Sequence, residues 1–203
     1  MSKTWFSNTE LFVEHIRDEF PEVVLLGDPD DERLRQRTRQ ITGTEFHSGA
    51  ANEHAELLLD FIRRYRGAFG VGTGVAANQL RSMPLIRMAA VAFGSTVTIV
   101  ANGELTKPIG QGSYHESCMS APRVACDVIE PYGITLDHKG VKGESYTRDL
   151  MASDARRAIH EMRHLNGNMC TDPGRARSTI PIEGGIQQII NNLPPAEQLD
   201  SPQ

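Results

Sequence analysis

The sequence predicts an α+β protein in which helices stand before and after a central set of short β-strands. Apolar residues recur at spacings of three and four in residues 4–20, 51–66 and 154–165, which is typical of amphipathic helices. Short apolar runs separated by turn residues lie between the second and third helices, as expected for strands. Because these strands follow one another without intervening helices, an alternating β-α arrangement is disfavoured.

The first two helices follow in chain order from residue 4. Asn8 or Thr9 suits the N-cap position of the first helix, and an acidic turn at residues 28–31 follows that helix. A glycine-dense stretch, residues 67–74, comes directly after the second helix. The apolar side of the first helix comprises Phe6, Leu11, Phe12, Ile16 and Phe20, and that of the second comprises Ala55, Leu58, Leu59, Ile62 and Tyr65.

The remaining elements lie in the central and C-terminal parts of the chain. Gly94 and Ser95 separate two apolar runs, so we expect a β-hairpin there. In the third helix, Ser153 or Asp154 suits the N-cap position and Gly167 suits the stop. The strand-like runs are residues 85–93, 97–101, 124–129 and 134–136, a weakly helical segment covers 185–192, and the last ten residues are expected to fray.

Composition and charge exclude several classes of function. The 203-residue chain has a net charge of -5 and scattered basic residues, which gives no electrostatic footprint for a specific nucleic acid. No apolar run reaches the roughly 18 residues that a membrane span needs, and the N-terminus does not resemble a signal peptide. Cys118, Cys126 and Cys170 form no CxxC pair and do not suggest a secreted disulfide framework. We therefore expect a cytoplasmic protein.

The most informative pattern for chemistry is His160-Glu161-Met162-Arg163-His164, in the third helix. Residues four apart share one helix face, so both imidazoles can bind one metal ion while Glu161 reaches a water there. Two surface histidines on an ordinary helix are the alternative explanation. A catalytic site of this type needs a third protein ligand, and a cysteine thiolate is the strongest remaining ligand type. The residues alone do not choose between Cys118, Cys126 and Cys170.

Three groups of residues occur in order along the chain: Gly72-x-Gly74-Val75-Ala76-Ala77-x-Gln79, Glu116-Ser117-Cys118-Met119-Ser120, and His160-Glu161-x-x-His164-Leu165-x-Gly167. In this order and spacing they resemble the three signature motifs of the peptide deformylase family. The resemblance implies antiparallel sheets around a central HExxH helix. On its basis we predict an N-terminal helical extension at residues 1–27, a catalytic domain at 28–172 and a C-terminal segment with a frayed tail at 173–203.

The resemblance implies a metal-dependent hydrolase that removes the N-formyl group from the formyl-methionyl amine of nascent polypeptides. Cys118, His160 and His164 are then the metal ligands, and Glu161 accepts a proton and later delivers it to the leaving amine. The side-chain amide of Gln79 and the backbone N–H of Met119 are then the oxyanion donors. The residues expected to contact substrate are Gly72, Gly74, Tyr114, Glu116, Arg156 and Arg157.

The implied cofactor is one divalent metal ion, commonly Fe(II) in this family, while zinc, nickel or cobalt can use the same ligands. The implied partners are an N-formylated peptide or N-formyl small molecule and, transiently, the ribosome. Two alternatives stay open. The first is a specialised deformylase acting on another N-formyl compound, and the second is a non-catalytic relative that keeps a metal-binding fold.

Some residues depart from the family pattern. Arg163 stands at a usually acidic position and Glu130 at a usually basic one, so we predict a reversed ion pair, with two unrelated surface changes as the alternative. Ser117 replaces a glycine, which is strained if its φ is positive. Arg156 and Arg157 occupy usually apolar positions near the substrate side chain. If they point inward they favour an acidic or polar group, and if they point to solvent they leave specificity unchanged.

Overall fold

The computed structural model describes residues 4–192 and 197–198, with side chains from residue 6 to residue 190. The described part contains helices α1 (Thr9–Glu19), α2 (Gly43–Ser48), α3 (Ala50–Phe69), α4 (Ala152–Leu165) and α5 (Gly185–Asn192). Its strands are β1 (Gly74–Ala76), β2 (Met88–Phe93), β3 (Thr96–Ile109), β4 (Gly112–Ser117), β5 (Val124–Glu130), β6 (Gly133–Lys139), β7 (Ser145–Met151), β8 (Ser178–Pro181) and β9 (Glu197–Gln198). Short 3-10 helices lie at Thr4–Ser7, Asp31–Arg35 and Ala77–Gln79.

The strands form two sheets, one with the order β1-β2-β3-β6-β7 and one with the order β8-β5-β4-β9. Among the described residues, the pairings between these strands are all antiparallel. The predicted hairpin between the first long strands is confirmed, because Phe93 of β2 pairs with Thr96 of β3. Helices packed on antiparallel sheets confirm the predicted α+β class.

Strand β2 is buried on both faces because a helix packs on each of them. Met88 and Ala90 belong to one apolar cluster with α1 and α3. Ala89 and Val91 belong to a second cluster with α4. Successive residues of a strand point to opposite faces, so this run is continuously apolar rather than alternating. The small alanine side chains let α4, which carries the HExxH motif, lie close to the sheet.

Helix α1 packs into the main core and begins as predicted. The Asn8 side chain accepts a hydrogen bond from the backbone N–H of Leu11 at 3.0 Å, which confirms Asn8 as the N-cap. Phe12 and Ile16 are buried against α3 and the sheet. The assignment of Leu11 to the apolar side was wrong, because this side chain is 40% exposed.

Helix α4 starts earlier than predicted and without a side-chain cap. Strand β7 runs directly into the helix, so Met151 occupies the N-cap position, and the prediction of Ser153 or Asp154 was wrong. The Asp154 carboxylate instead accepts hydrogen bonds from the Gly94 N–H and from an arginine of the same helix. The predicted stop is confirmed by the φ of 78° at Gly167, which follows the C-cap.

Helix α2 and strands β1, β4, β7, β8 and β9 are not predicted from the sequence pattern. Helix α2 had a usable signal, since Thr42 and Glu45 form a capping box at its start. Strand β7 is largely exposed and polar, and strand β4 has no alternating pattern, so neither shows the periodicity of a half-buried strand. Within the described residues, no helix is both long and apolar enough to cross a membrane.

Candidate metal centre

Three potential ligand atoms converge between strand β4 and helix α4. Cys118 directly follows β4, while His160 and His164 lie one helical turn apart on α4. The Cys118 Sγ atom lies 3.3 Å from His164 Nε2, and the two histidine Nε2 atoms lie 3.1 Å apart. All three ligand atoms lie within 4.8 Å of one another. The structure thus brings together the three residues that the sequence analysis selected as metal ligands.

The spacing and chemistry of these atoms fit a divalent metal ion. Metal–sulfur and metal–nitrogen bonds of about 2.3 and 2.0 Å in a tetrahedral site place neighbouring ligand atoms about 3.3 to 3.6 Å apart. The observed separations of 3.1 and 3.3 Å are close to this range. Burial also holds the pKa of His164 well below its usual range, which favours the neutral, metal-binding imidazole.

Glu116 orients the ring of His160 through the nitrogen that faces away from the cluster. One of its carboxylate oxygens lies 3.2 Å from His160 Nδ1, which leaves Nε2 directed at the cluster. Burial opposes the ionisation of Glu116, but His160 and Arg175 outweigh this effect and lower its pKa to about 2. We expected Glu116 to contact substrate. The structure corrects this, because Glu116 is fully buried and does not line the cavity beside the cluster.

An ion-pair network continues outward from Glu116. Arg175 Nη2 lies 3.5 Å from Glu116 and 3.0 Å from Glu130. Glu130 in turn lies 2.6 Å from Arg163 Nη2, which confirms the predicted reversed ion pair. The sequence analysis missed Arg175, since it lies in a loop after the last motif and no local pattern distinguishes it from other surface arginines.

Glu161 lies beside the cluster in an almost fully buried position. Burial raises its pKa to about 7. Its Oε2 atom has no hydrogen-bond partner among the described residues. Gly74 leaves room for this carboxyl group, since a Cβ at that position would lie 2.7 Å from Glu161 Cδ. Gly74 therefore shapes the site through Glu161 and, like Gly72, also lines the cavity.

Gln79 presents its amide to the cluster in a fixed orientation. Its Oε1 accepts a hydrogen bond from the backbone N–H of Ala76 at 2.8 Å. Its Nε2 lies 3.5 Å from Cys118 Sγ and 3.2 Å from Ser120 Oγ. Met119, the second predicted donor, lines the cavity next to Cys118. Both residues therefore line the cavity beside the cluster.

A cavity of about 410 Å³ opens beside the three ligand atoms. Tyr114, Arg156 and Arg157 line it, so both arginines form part of the cavity wall. Its apolar lining comes partly from the ends of the described chain, namely Phe12 of α1 and Ile186 and Ile189 of α5, together with Tyr65 of α3.

Local geometry accounts for Ser117 and for the two cysteines outside the metal-binding group. Ser117 pairs with Ala125 in the second sheet and is not among the residues with positive φ, so the predicted strain is absent. Cys126 and Cys170 are buried in a separate apolar cluster with Tyr114, away from the metal-binding group. The fold therefore separates Cys118 from the other two cysteines, in agreement with the choice that the motif resemblance implied.

Comparisons with known proteins agree with this geometry. A sequence profile of the family described as "Polypeptide deformylase" matches residues 21–179. A peptide deformylase of Chlorobium luteolum is 30% identical over 172 residues, covering 82% of this chain and 86% of that protein. One from Prosthecochloris aestuarii is 25% identical over 162 residues, covering 78% of this chain and 84% of that protein.

Solved structures show the same fold. The crystal structure of peptide deformylase from Thermotoga maritima has a TM-score of 0.65 and 24% identity, covering 77% of this chain and 97% of that one. The actinonin-bound class I type b enzyme of Acinetobacter baumannii has a TM-score of 0.63 and 21% identity, covering 73% of this chain and 93% of that one. The match over most of the chain, in sequence and in fold, shows that the chain belongs to the polypeptide deformylase family.

Proposed function

We propose that this chain hydrolyses the N-formyl group of formylated peptides at a metal centre formed by Cys118, His160 and His164. The convergence of one sulfur and two imidazole nitrogens beside an open cavity carries this proposal. N-terminal deformylation is the activity of the family to which the chain belongs. The retained Glu161 and Gln79 argue against a non-catalytic relative, since neither is needed for metal binding alone.

Glu161 is the proton carrier in the proposed reaction. A divalent metal, when bound, acts as a Lewis acid and makes a neighbouring water more acidic. Glu161 takes a proton from the attacking water as the water oxygen bonds to the formyl carbon. It then gives the proton to the amine nitrogen as the carbon–nitrogen bond breaks, releasing formate and a free amine. A pKa near 7 suits a group that must both accept and donate a proton.

Gln79 and Met119 stabilise the charge that develops on the formyl oxygen. The Gln79 Nε2 amide and the Met119 backbone N–H act as oxyanion donors. The hydrogen bond from the Ala76 N–H holds the Gln79 side chain beside the cluster in advance, and the oxyanion would replace the 3.5 Å contact of Nε2 with Cys118 Sγ. A backbone donor works with any side chain, so methionine at position 119 is compatible with this role.

We further propose Fe(II) as the metal ion in the cell and the cytoplasm as the site of action. One thiolate and two imidazoles suit Fe(II), as they also suit zinc, nickel and cobalt. The three free cysteines fit a reducing compartment. Anaerobic purification followed by metal analysis tests the ion, because a ferrous site with a thiolate ligand is vulnerable to oxidation. Transient ribosome association stays a prediction.

The domain boundaries are also a proposal. Residues 28–172 form the catalytic domain, with a helical extension at 1–27 and a C-terminal segment at 173–203. Phe12 and Ile186 lie outside the central range but line the cavity, so both flanking segments would contribute to substrate binding.

A formate-release assay on formylated tripeptides tests the proposed reaction directly. The Glu161→Gln variant removes the proton carrier and keeps nearly the same shape, so we expect at least a hundredfold lower kcat with unchanged metal content. The matched control is Glu104→Gln on strand β3, away from the cluster, which keeps full activity. Wild-type turnover in Glu161→Gln, or no formate release by the metal-loaded wild type, would overturn the proposal.

A further inference from the structure

Arg156 places a positive charge inside the cavity, close to the metal-binding cluster. It lies on α4 one helical turn before His160, so both side chains leave the same face of the helix. Its guanidinium lies 6.0 Å from the centre of the Tyr114 ring, and Nη1 donates to the His115 carbonyl at 3.3 Å. These contacts hold the guanidinium at the wall of the cavity.

Arg156 forms no ion pair with any carboxylate in the described part of the chain. The neighbouring Arg157 differs, because its Nη1 lies 3.1 Å from the Asp154 carboxylate and also donates to a backbone carbonyl. Glu116 contributes some attraction to Arg156, but its carboxylate contacts His160 and Arg175. A largely buried cation without a direct counter-ion is costly, so an anion in the cavity would gain a strong partner.

Another part of the cavity lining is apolar. Phe12, Tyr65, Ile186 and Ile189 form it, and the first and last two lie outside the range that the family profile matches. A substrate side chain with a short aliphatic stem and a charged end matches this combination, since the stem can contact the apolar wall while the end reaches Arg156. The planar guanidinium can bind a carboxylate through two parallel hydrogen bonds.

We propose that this cavity selects N-formyl substrates whose first residue carries a carboxylate, and that Arg156 recognises that group. This inference rests on the proposed deformylase function and adds the substrate class. Arg156 acts here as a specificity-determining residue and takes no part in the proton transfer.

The test compares formyl-Glu-Ala-Ser, formyl-Gln-Ala-Ser and formyl-Met-Ala-Ser on the metal-loaded enzyme. A hydrogen-bonded charged pair contributes about 1.5–3 kcal/mol, so we expect kcat/KM for the glutamate peptide to exceed that for the glutamine peptide by about tenfold or more. The wild type should also prefer the glutamate peptide to the methionine peptide. Arg156→Met should bring the glutamate-to-glutamine ratio close to one, whereas Arg156→Lys should retain part of it.

Arg63→Met is the control, because Arg63 is highly exposed on α3, faces Asp60 and does not line the cavity. We expect it to change the glutamate-to-glutamine ratio by less than about twofold. Calorimetric binding of the product peptides Glu-Ala-Ser and Gln-Ala-Ser to the metal-loaded enzyme gives a readout that is independent of turnover. Tighter binding of Glu-Ala-Ser that is lost in Arg156→Met supports the proposal.

Two results would overturn the inference. One is faster wild-type turnover of the methionine peptide than of the glutamate peptide, and the other is an unchanged glutamate-to-glutamine ratio in Arg156→Met. Failure of the proposed deformylase function gives a different result, because none of the three peptides would then release formate. The binding of the two product peptides can still be compared in that case.

Discussion

The ion pairs of Glu130 with Arg175 and Arg163 predict that substitutions at these positions lower the free energy of unfolding by different amounts. Glu130 is 3% exposed and contacts Arg175 at 3.0 Å and Arg163 at 2.6 Å. Glu130→Gln keeps a hydrogen-bond acceptor but leaves Arg175, whose side chain is 11% exposed, with the longer contact to Glu116 as its remaining ion pair among the described residues. Removing one partner of a buried pair typically costs 3–5 kcal/mol, so we expect a loss of about 3 kcal/mol in the free energy of unfolding.

Arg163→Met should cost much less, about 1 kcal/mol, because Arg163 is 37% exposed and Glu130 keeps its contact with Arg175. The double exchange Glu130→Arg with Arg163→Glu should not restore stability. It would place a second arginine beside Arg175. A negative charge at position 130 is therefore required by Arg175 as well as by Arg163.

Urea unfolding at one fixed metal content measures these differences. Arg63→Met is the control, since its contact with Asp60 at 3.4 Å is highly exposed and should contribute less than about 0.5 kcal/mol. Equal destabilisation by Glu130→Gln and Arg163→Met would refute the reasoning, and so would full recovery of wild-type stability in the double exchange.

Three further predictions concern the site and its helix. Gly74→Ala should lower kcat by about a hundredfold with unchanged metal content, because a Cβ would lie 2.7 Å from Glu161 Cδ and displace the proton carrier. A wild-type kcat in the formate-release assay would contradict this. Cys118→Ser should lower metal affinity by at least tenfold, measured by competition with a chelator, because a hydroxyl is a weaker ligand than a thiolate; unchanged affinity would remove Cys118 from the ligand set. Gly167→Ala should lower the free energy of unfolding, measured in urea, by about 2 kcal/mol or more, because the φ of Gly167 is 78° and a Cβ would lie 2.8 Å from the Arg35 carbonyl carbon. Wild-type stability of this variant would show that the turn can relax.

Local sequence patterns were sufficient to predict the features that depend on a single segment of the chain. The spacing of His160 and His164 predicted two imidazoles on one helix face, since four residues make about one helical turn. Asn8 and Gly167 marked a helix start and a helix stop through local backbone chemistry. Strands β4 and β7 were missed because neither has a clear alternating pattern.

Features that depend on packing were harder to predict. Leu11 fits the apolar pattern of α1, but the neighbouring elements do not cover it. Glu116 lies within a motif, yet only the pairing of β4 with β5 and its contact with His160 show that it faces away from the cavity. Arg175 had no detectable signal, because its role depends on carboxylates that are distant in sequence.

The sequence by itself therefore determined the α+β class, the HExxH helix and, through three ordered motifs, the resemblance to a family. Only the tertiary structure brought the Cys118 sulfur next to the two imidazoles and placed Arg156 in the cavity wall. The physical reason is that a helix fixes the relative positions of residues three or four apart. The distance between a strand end and that helix is fixed only when both pack against the same core.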